Sequence, residues 1–245
     1  MDFTTPAFWA ALGSIIFTNI ILSGDNAVVI ALAARSLPPQ QQGKAIFWGS
    51  AAAIVLRIVL TLVAVQLLQL PYLKFVGAAL LFYIGIQLLL EEEEEIEDGK
   101  EPEQKSMMSA VRTILIADLV MSLDNVIAVA AAAKDSVTLL ILGLGISIPL
   151  IIFGSTLLLK LMERFPIIIT LGGMLLGYLA GDMFVTDPAI HGWVLANFPH
   201  HDVTIIPGSI EISIPGIVGA ILVYFGGKWW SRRQARKAEA EAVSR

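Results

Sequence analysis

Seven mostly apolar stretches, at roughly 8–33, 45–69, 72–90, 109–133, 137–159, 166–184 and 210–229, set the limits on what this chain can fold into. A helix of about 20 such residues crosses the hydrocarbon of a bilayer, and a soluble core has no use for seven of them. The chain reads as an all-α integral membrane protein with seven transmembrane helices. Charge supports this: only 15% of residues are charged, where a soluble domain carries about a quarter, and the mean hydropathy is +0.78. Residues Met1 to Pro6 offer neither a basic n-region nor a small-residue cleavage site, so no cleaved signal peptide is expected.

The basic residues orient the spans. Arg57 lies inside the second stretch. Arg35, Lys44, Lys100, Lys105, Arg112, Lys160, Arg164 and the six of the tail (Lys228, Arg232, Arg233, Arg236, Lys237, Arg245) collect on one side of seven crossings, against Lys74 and Lys134 on the other. The positive-inside rule then puts the C-terminus in the cytoplasm and the N-terminus outside, in a cytoplasmic (inner) membrane. Trp229 and Trp230 open the tail as an interfacial anchor, followed by a basic segment suited to an anionic leaflet.

The chain also repeats itself. An offset of 99 residues lays Asn19, Ser23, Asp25 and Asn26 over Asp118, Ser122, Asp124 and Asn125; downstream, an offset of 95 lays Pro71, Gly77, Tyr83 and Gln87 over Pro166, Gly172, Tyr178 and Asp182. Each copy holds three spans, and an odd number forces the copies into opposite orientations. The expected architecture is a 3+3 inverted-topology repeat plus a seventh helix, a common transporter plan. Within a single membrane domain over residues 1–245, repeat 1 covers about 8–90 and an acidic cytoplasmic linker 91–108. Repeat 2 covers about 109–184, an outer loop 185–209, the seventh helix 210–229 and the basic tail 230–245.

A carboxylate at the centre of a span costs about 2.5–3.5 kcal/mol on insertion scales, so one that is kept there faces protein or water and has work to do. Asp25, Asp118 and Asp124 all lie inside expected spans. Asp118 and Asp124, six residues apart, are separated by roughly 9 Å along an ideal helix, so one ion reaches both only if the helix breaks or a ligand comes from elsewhere. Gly24, Ser23 and Ser122 mark places for such a break. Antiparallel crossing of the repeat-related spans would gather Asp25, Asn26, Asp118, Asp124, Asn125 and Asn19. That all-oxygen set suits Mn²⁺, Mg²⁺ or Ca²⁺. The chain has no cysteine, so zinc-thiolate, iron–sulfur and disulfide chemistry are excluded. Arg57 needs a partner at its depth, either a site carboxylate or backbone carbonyls. His191, His200 and His201, with Asp187 and Asp202, fit no metal-ligand spacing and read as loop packing. The acidic run from Glu91 to Glu103 reads as a solvated linker.

The segments Leu22-Ser-Gly-Asp-Asn-Ala-Val-Val-Ile-Ala-Leu-Ala and Ala117-Asp-Leu-Val-Met-Ser-Leu-Asp-Asn-Val carry a resemblance. Over about residues 8 to 230 the chain resembles the TerC family, in its short YjbE-like branch. The resemblance implies a seven-span protein of the LysE-type transporter superfamily associated with manganese export. By position it implies Asp25, Asn26, Asp118, Asp124 and Asn125 as metal residues. Other branches carry an acidic residue where this chain has Asn19, which lowers the charge of the site.

The expected function is therefore a non-enzymatic exporter of Mn²⁺ by alternating access, with Mg²⁺ or Ca²⁺ as other candidates and H⁺ as counter-ion, since no nucleotide-binding motif is present. Neither an organic cofactor nor a nucleic acid is expected, and the bilayer and the cation are the partners. An accessory membrane protein that metallates or stabilises exported proteins is the alternative. Behind it stand an amino-acid exporter, disfavoured by three carboxylates, and an intramembrane aspartyl protease, which would need a Gly-x-Gly-Asp pattern that is absent.

Overall fold

The computed structural model describes residues 6–67, 70–98, 106–133, 136–198, 202–206 and 210–243. Helices make up nearly all of it: α1 (Pro6–Ile21), α2 (Gly24–Arg35), α3 (Pro39–Leu67), α4 (Leu73–Asp98), α5 (Met107–Ala133), α6 (Val137–Arg164), α7 (Ile167–Val185), α8 (His191–Asn197) and α9 (Ile214–Val243). A strand pair, β1 (Asp202–Ile206) and β2 (Ile210–Ser213), precedes the last helix. Among the described residues α3, α4, α6 and α7 are long and apolar enough to cross a membrane, and α1 with α2, bent by 48°, makes a fifth if the pair counts as one span. Helices α5 and α9, of 27 and 30 residues, lie where the fourth and seventh spans were expected. The exposed helix faces carry large apolar side chains, while several polar and charged ones are buried. On α3, Val55 and Val59 are 62% and 52% exposed while Arg57 is 1% exposed, the reverse of a soluble helix and the arrangement a bilayer rewards.

The structure corrects several boundaries. The first stretch, 8–33, is two helices, because Leu22 and Ser23 form a turn. Helix α4 continues through Asp98, so the acidic run begins as helix, not linker; a run of glutamates has no reason to leave a helix that already supplies its backbone bonds. The expected outer loop contains α8 and β1. The seventh helix starts at Ile214 rather than 210, with Pro215 in its first turn, where a missing N–H costs nothing, and it runs on through what was expected to be tail. Ser122 sits in unbroken α5, so no break occurs there.

The chain divides into two compact units, Met1–Leu73 with Lys105–Arg164, and Lys74–Gln104 with Phe165–Arg245. The first unit holds α1, α2, α3, α5 and α6, and thus the first two expected spans of each repeat. Its helix registers are readable from close contacts. A Cβ on Gly49 would meet Ile114, and Leu60 packs on Val126, so α3 and α5 run parallel. A Cβ on Gly143 would collide with Ile15, and one on Gly154 would touch Ala27, so α6 runs parallel to α1 and α2. Leu37, Ala45, Ala110 and Met107 pack together where α2 ends and α3 and α5 begin. Arg35, Lys44, Arg112, Lys160 and Arg164 therefore share one end of this unit, its basic end.

The second unit is built on α7 and α9. Gly173, Gly177 and Gly181 recur every four residues on α7, and small residues at that spacing let helix backbones approach within a bilayer. A Cβ on Gly177 would lie 2.5 Å from the Gly219 carbonyl oxygen, a Cβ on Gly181 would strike the Pro215 carbonyl, and Gly85 of α4 nestles against Gly173 and Leu176. Gly177→Ala is expected to destabilise this unit by about 1–3 kcal/mol, because the obstacle is backbone and cannot rotate away. Gly145→Ala, with nothing within 4 Å of the added carbon, should stay within about 0.5 kcal/mol of the parent. Thermal unfolding in detergent compares the two.

Candidate functional site

The site starts from the break between α1 and α2. Ser23 has φ −114° and ψ 3°, and its N–H turns to the Ile20 carbonyl at 3.3 Å. In a continuous helix the Leu22 carbonyl would receive the Asn26 backbone N–H. That N–H instead donates to Asp25 Oδ1 at 2.8 Å, on the first turn of α2, where a carboxylate also meets the positive end of the helix dipole. The Leu22 carbonyl is thus released, and it accepts two side-chain amides: Asn26 Nδ2 at 3.3 Å and Asn125 Nδ2 at 3.1 Å. The two Asn residues of the repeated Asp-Asn pairs meet on one backbone oxygen.

Beside this turn lies Arg57, which α3 carries into the middle of the first unit. Its guanidinium makes four bonds: Nε to Ser122 Oγ at 2.9 Å, Nη1 to Asn19 Oδ1 at 2.8 Å and to Ser23 Oγ at 3.0 Å, and Nη2 to Asp118 Oδ1 at 2.5 Å. Ser122 Oγ donates in turn to Asp118 Oδ2 at 3.3 Å, and Ser23 Oγ to Asn19 Oδ1 at 3.3 Å. Arg57 is 1% exposed, Asp118 5%, and Asn19 and Ser122 are wholly buried. A planar guanidinium presents donors in a fixed fork, which is why one side chain can hold four acceptors on α1, on α5 and in the turn after α1.

These four acceptors are two repeat-related pairs. The offset of 99 residues matches Asn19 with Asp118 and Ser23 with Ser122, and Arg57 bonds both members of each. Arg57 has no counterpart in the other copy: the two offsets lead from it to Ile152 and Thr156.

Of the six oxygen-bearing residues expected to pool into one site, Asn19 and Asp118 lie on Arg57, and Asn26 and Asn125 on Leu22. Asp25 is half-buried next to Asn26. The Asp124 side chain lies outside what the structure describes; its backbone belongs to α5. Among the described residues no three His, Asp or Glu side chains converge on one point. Both Asp118 oxygens are occupied by Arg57 and Ser122. Three participants lie outside those six. Ser23 and Ser122, taken for loosening points, are hydrogen-bonding groups of the Arg57 cluster, and the Leu22 carbonyl is an acceptor. The serine identity across the repeat was the signal for the serines, and Ser23 with Gly24, where a loosened helix lends a backbone carbonyl, was the signal for the carbonyl.

In the second unit, Asp187 is buried and accepts the Phe75 N–H at 3.0 Å and the Ala189 N–H at 2.8 Å. His191 Nδ1 lies 3.2 Å from the Val185 carbonyl. These groups shape the start of α4 and the loop before α8. Asp182 is half-buried on α7, and His200 and His201 are outside the described residues.

The sequence profile of the integral membrane protein TerC family matches residues 4–235. The membrane protein YjbE of Bacillus subtilis (strain 168) is 46% identical over 174 residues, covering 71% of this chain and 78% of its own length. YceF, a membrane protein of the same organism, is 27% identical over 184 residues, covering 72% and 71%. The inner membrane protein YgdQ of Escherichia coli (strain K12) is 25% identical over 178 residues, covering 66% and 75%. No solved structure matches. A profile that spans nearly the whole chain, together with the two Asp-Asn motifs and the helical membrane fold that carries them, shows that this chain belongs to the TerC family of integral membrane proteins.

Proposed function

We propose that the chain exports a hard divalent cation, Mn²⁺ foremost, by alternating access between two inverted repeats in a seven-span fold whose C-terminus is cytoplasmic. The observation that carries this reading is the Arg57 cluster: the membrane interior of the first unit holds a buried, oxygen-lined socket for positive charge, built from both repeats. Three carboxylates (Asp25, Asp118, Asp124) against one guanidinium (Arg57) leave a formal surplus of two negative charges, the charge a divalent ion cancels. An isolated buried charge is too costly to keep, so a site of this composition selects its cargo by charge as well as by hardness.

In this reading Asp25 and Asp124, with the amide oxygens of Asn26 and Asn125, take the cation. Asp118 and Asn19 join when Arg57 withdraws, and Arg57 balances Asp118 once the cation has left. Protonation of the carboxylates from the outer side would weaken the site and release the ion, giving exchange for H⁺.

Proteoliposomes containing this chain alone test the proposal. With an imposed pH gradient they are expected to move Mn²⁺, with Mg²⁺ and Ca²⁺ competing and amino acids failing to compete. No Mn²⁺ movement under any gradient would sink export and favour an accessory role beside exported proteins.

A further inference from the structure

We infer that a second, uncharged cation position lies in the first unit, toward its basic end from Arg57, formed by Asn26, Ser50 and Ser155; it rests on the export reading and places one station on the cation's route. Among the described residues, four buried side-chain atoms lack a hydrogen-bond partner: Asn19 Nδ2, Asn26 Oδ1, Ser50 Oγ and Ser155 Oγ, all in this unit. Asn26, Ser50 and Ser155 are 3%, 1% and 0% exposed. A buried helical hydroxyl ordinarily turns back to the carbonyl four residues earlier, as Ser147 does to Gly143 at 3.0 Å and Thr156 to Ile152 at 2.7 Å. Ser50 and Ser155 do not, although an unmet buried polar group costs about 1–3 kcal/mol.

Helix register puts the three oxygens at a common depth. Arg57 is level with Ser122 and Gly49 with Ile114, so Ser50 lies on the same face of α3 as Arg57, seven residues nearer the basic end. The guanidinium head lies between Asn19 and Ser23 and between Asp118 and Ser122, so Asn26 and Ser50 are each about five residues beyond it, and Ser155, which follows Gly154 where it abuts Ala27, about seven. At 1.5 Å per residue, all three fall roughly 7–10 Å from the guanidinium toward the basic end. Helices α2, α3 and α6 pack pairwise against one another, so each contributes one oxygen to a shared interior. One amide and two hydroxyl oxygens carry no net charge. They suit a hard cation that keeps part of its water shell and is held weakly enough to pass on. By the positive-inside rule the basic end faces the cytoplasm, which makes this the station before Asp25 and Asp124, with the Asn26 oxygen shared between the two.

The absence of cysteine from the chain provides the test. Ser50→Cys and Ser155→Cys are introduced singly and together into the full chain, and Cd²⁺ binding to the purified protein is titrated. The double variant is expected to bind one Cd²⁺ about 100-fold more tightly than either single variant, since two thiolates grip a soft ion where one does not. Cd²⁺ should then block Mn²⁺ flux by the double variant at concentrations that leave the parent unaffected. Folded variants showing no gain over the singles would overturn the position. As a second route, Ser50→Leu fills it and should slow Mn²⁺ flux about tenfold; unchanged flux counts against the inference. If the parent moves Mn²⁺ while the double variant gains no Cd²⁺, the position falls and export stands. If the double variant gains Cd²⁺ while the parent moves no Mn²⁺, export falls and the cation position stands.

Discussion

Asp25→Asn and Asp124→Asn are each expected to lower Mn²⁺ flux at least about 100-fold while leaving membrane insertion and thermal stability close to the parent. Asp25 is half-buried, and its hydrogen bond to the Asn26 N–H uses Oδ1, an atom that asparagine also has. The local turn therefore has no reason to fail. What changes is charge. In the proposed site, a bound divalent cation, the three carboxylates and Arg57 sum to neutrality, and loss of one carboxylate leaves an excess positive charge. The cost of such an uncompensated charge in a low-dielectric interior is several kcal/mol, more than the roughly 2.7 kcal/mol that corresponds to 100-fold. Asp124 is included on the 99-residue offset, which makes it the partner of Asp25. Retained flux in both variants would remove the Asp-Asn pairs from the site. Loss of flux with loss of the folded protein would point to a structural role instead, and size-exclusion profiles distinguish the two.

Arg57→Met carries the largest expected stability change. It removes four hydrogen bonds at once and leaves Asp118, 5% exposed, with no cation beside it. Breaking a buried ion pair from one side costs about 3–5 kcal/mol, most of it the penalty on the charge left behind. Adding Asp118→Asn should recover a large part of that loss, because the stranded charge is gone and Ser122 can still bond the amide oxygen. The cycle of parent, two single variants and the double, followed by thermal unfolding in detergent, isolates the coupling. Arg57→Lys is expected to recover little. A single ammonium keeps the charge but cannot reach Asn19, Ser23, Asp118 and Ser122 from one planar fork. A double variant no better than Arg57→Met alone would mean that the guanidinium's packing, not the Asp118 charge, dominates.

Much of this was legible in the residues. Four of the spans, and a fifth if α1 and α2 count as one, could be read because hydropathy is additive along a chain: enough apolar residues in a row select a helix in a bilayer whatever their neighbours are. Ends were less legible, since the glutamates after Leu90 and the residues after Trp230 continue helices whose backbone bonds do not depend on hydropathy. The break in the first span was anticipated from Ser23 and Gly24, and a matching break at Ser122 was not found. Ser122 lacks the adjacent glycine and lies within a helix held on both sides by Ala117, Val120, Leu123 and Val126, all buried.

By itself, the sequence determined the chemical inventory, the repeat that pairs Asn19 with Asp118 and Asp25 with Asp124, the helical membrane class and the family. These are properties of residue type and order, and they survive any arrangement of the helices. Only the tertiary structure decided that Arg57, outside both motifs and 38 to 65 residues from three of its partners, Asn19, Asp118 and Ser122, is what joins the two copies. It also decided that a backbone carbonyl at Leu22 receives both motif amides. The reason is geometric: which donor meets which acceptor depends on how each helix is turned about its axis and slid along it. A shift of one residue rotates a side chain by about 100°, which no count of residues can see.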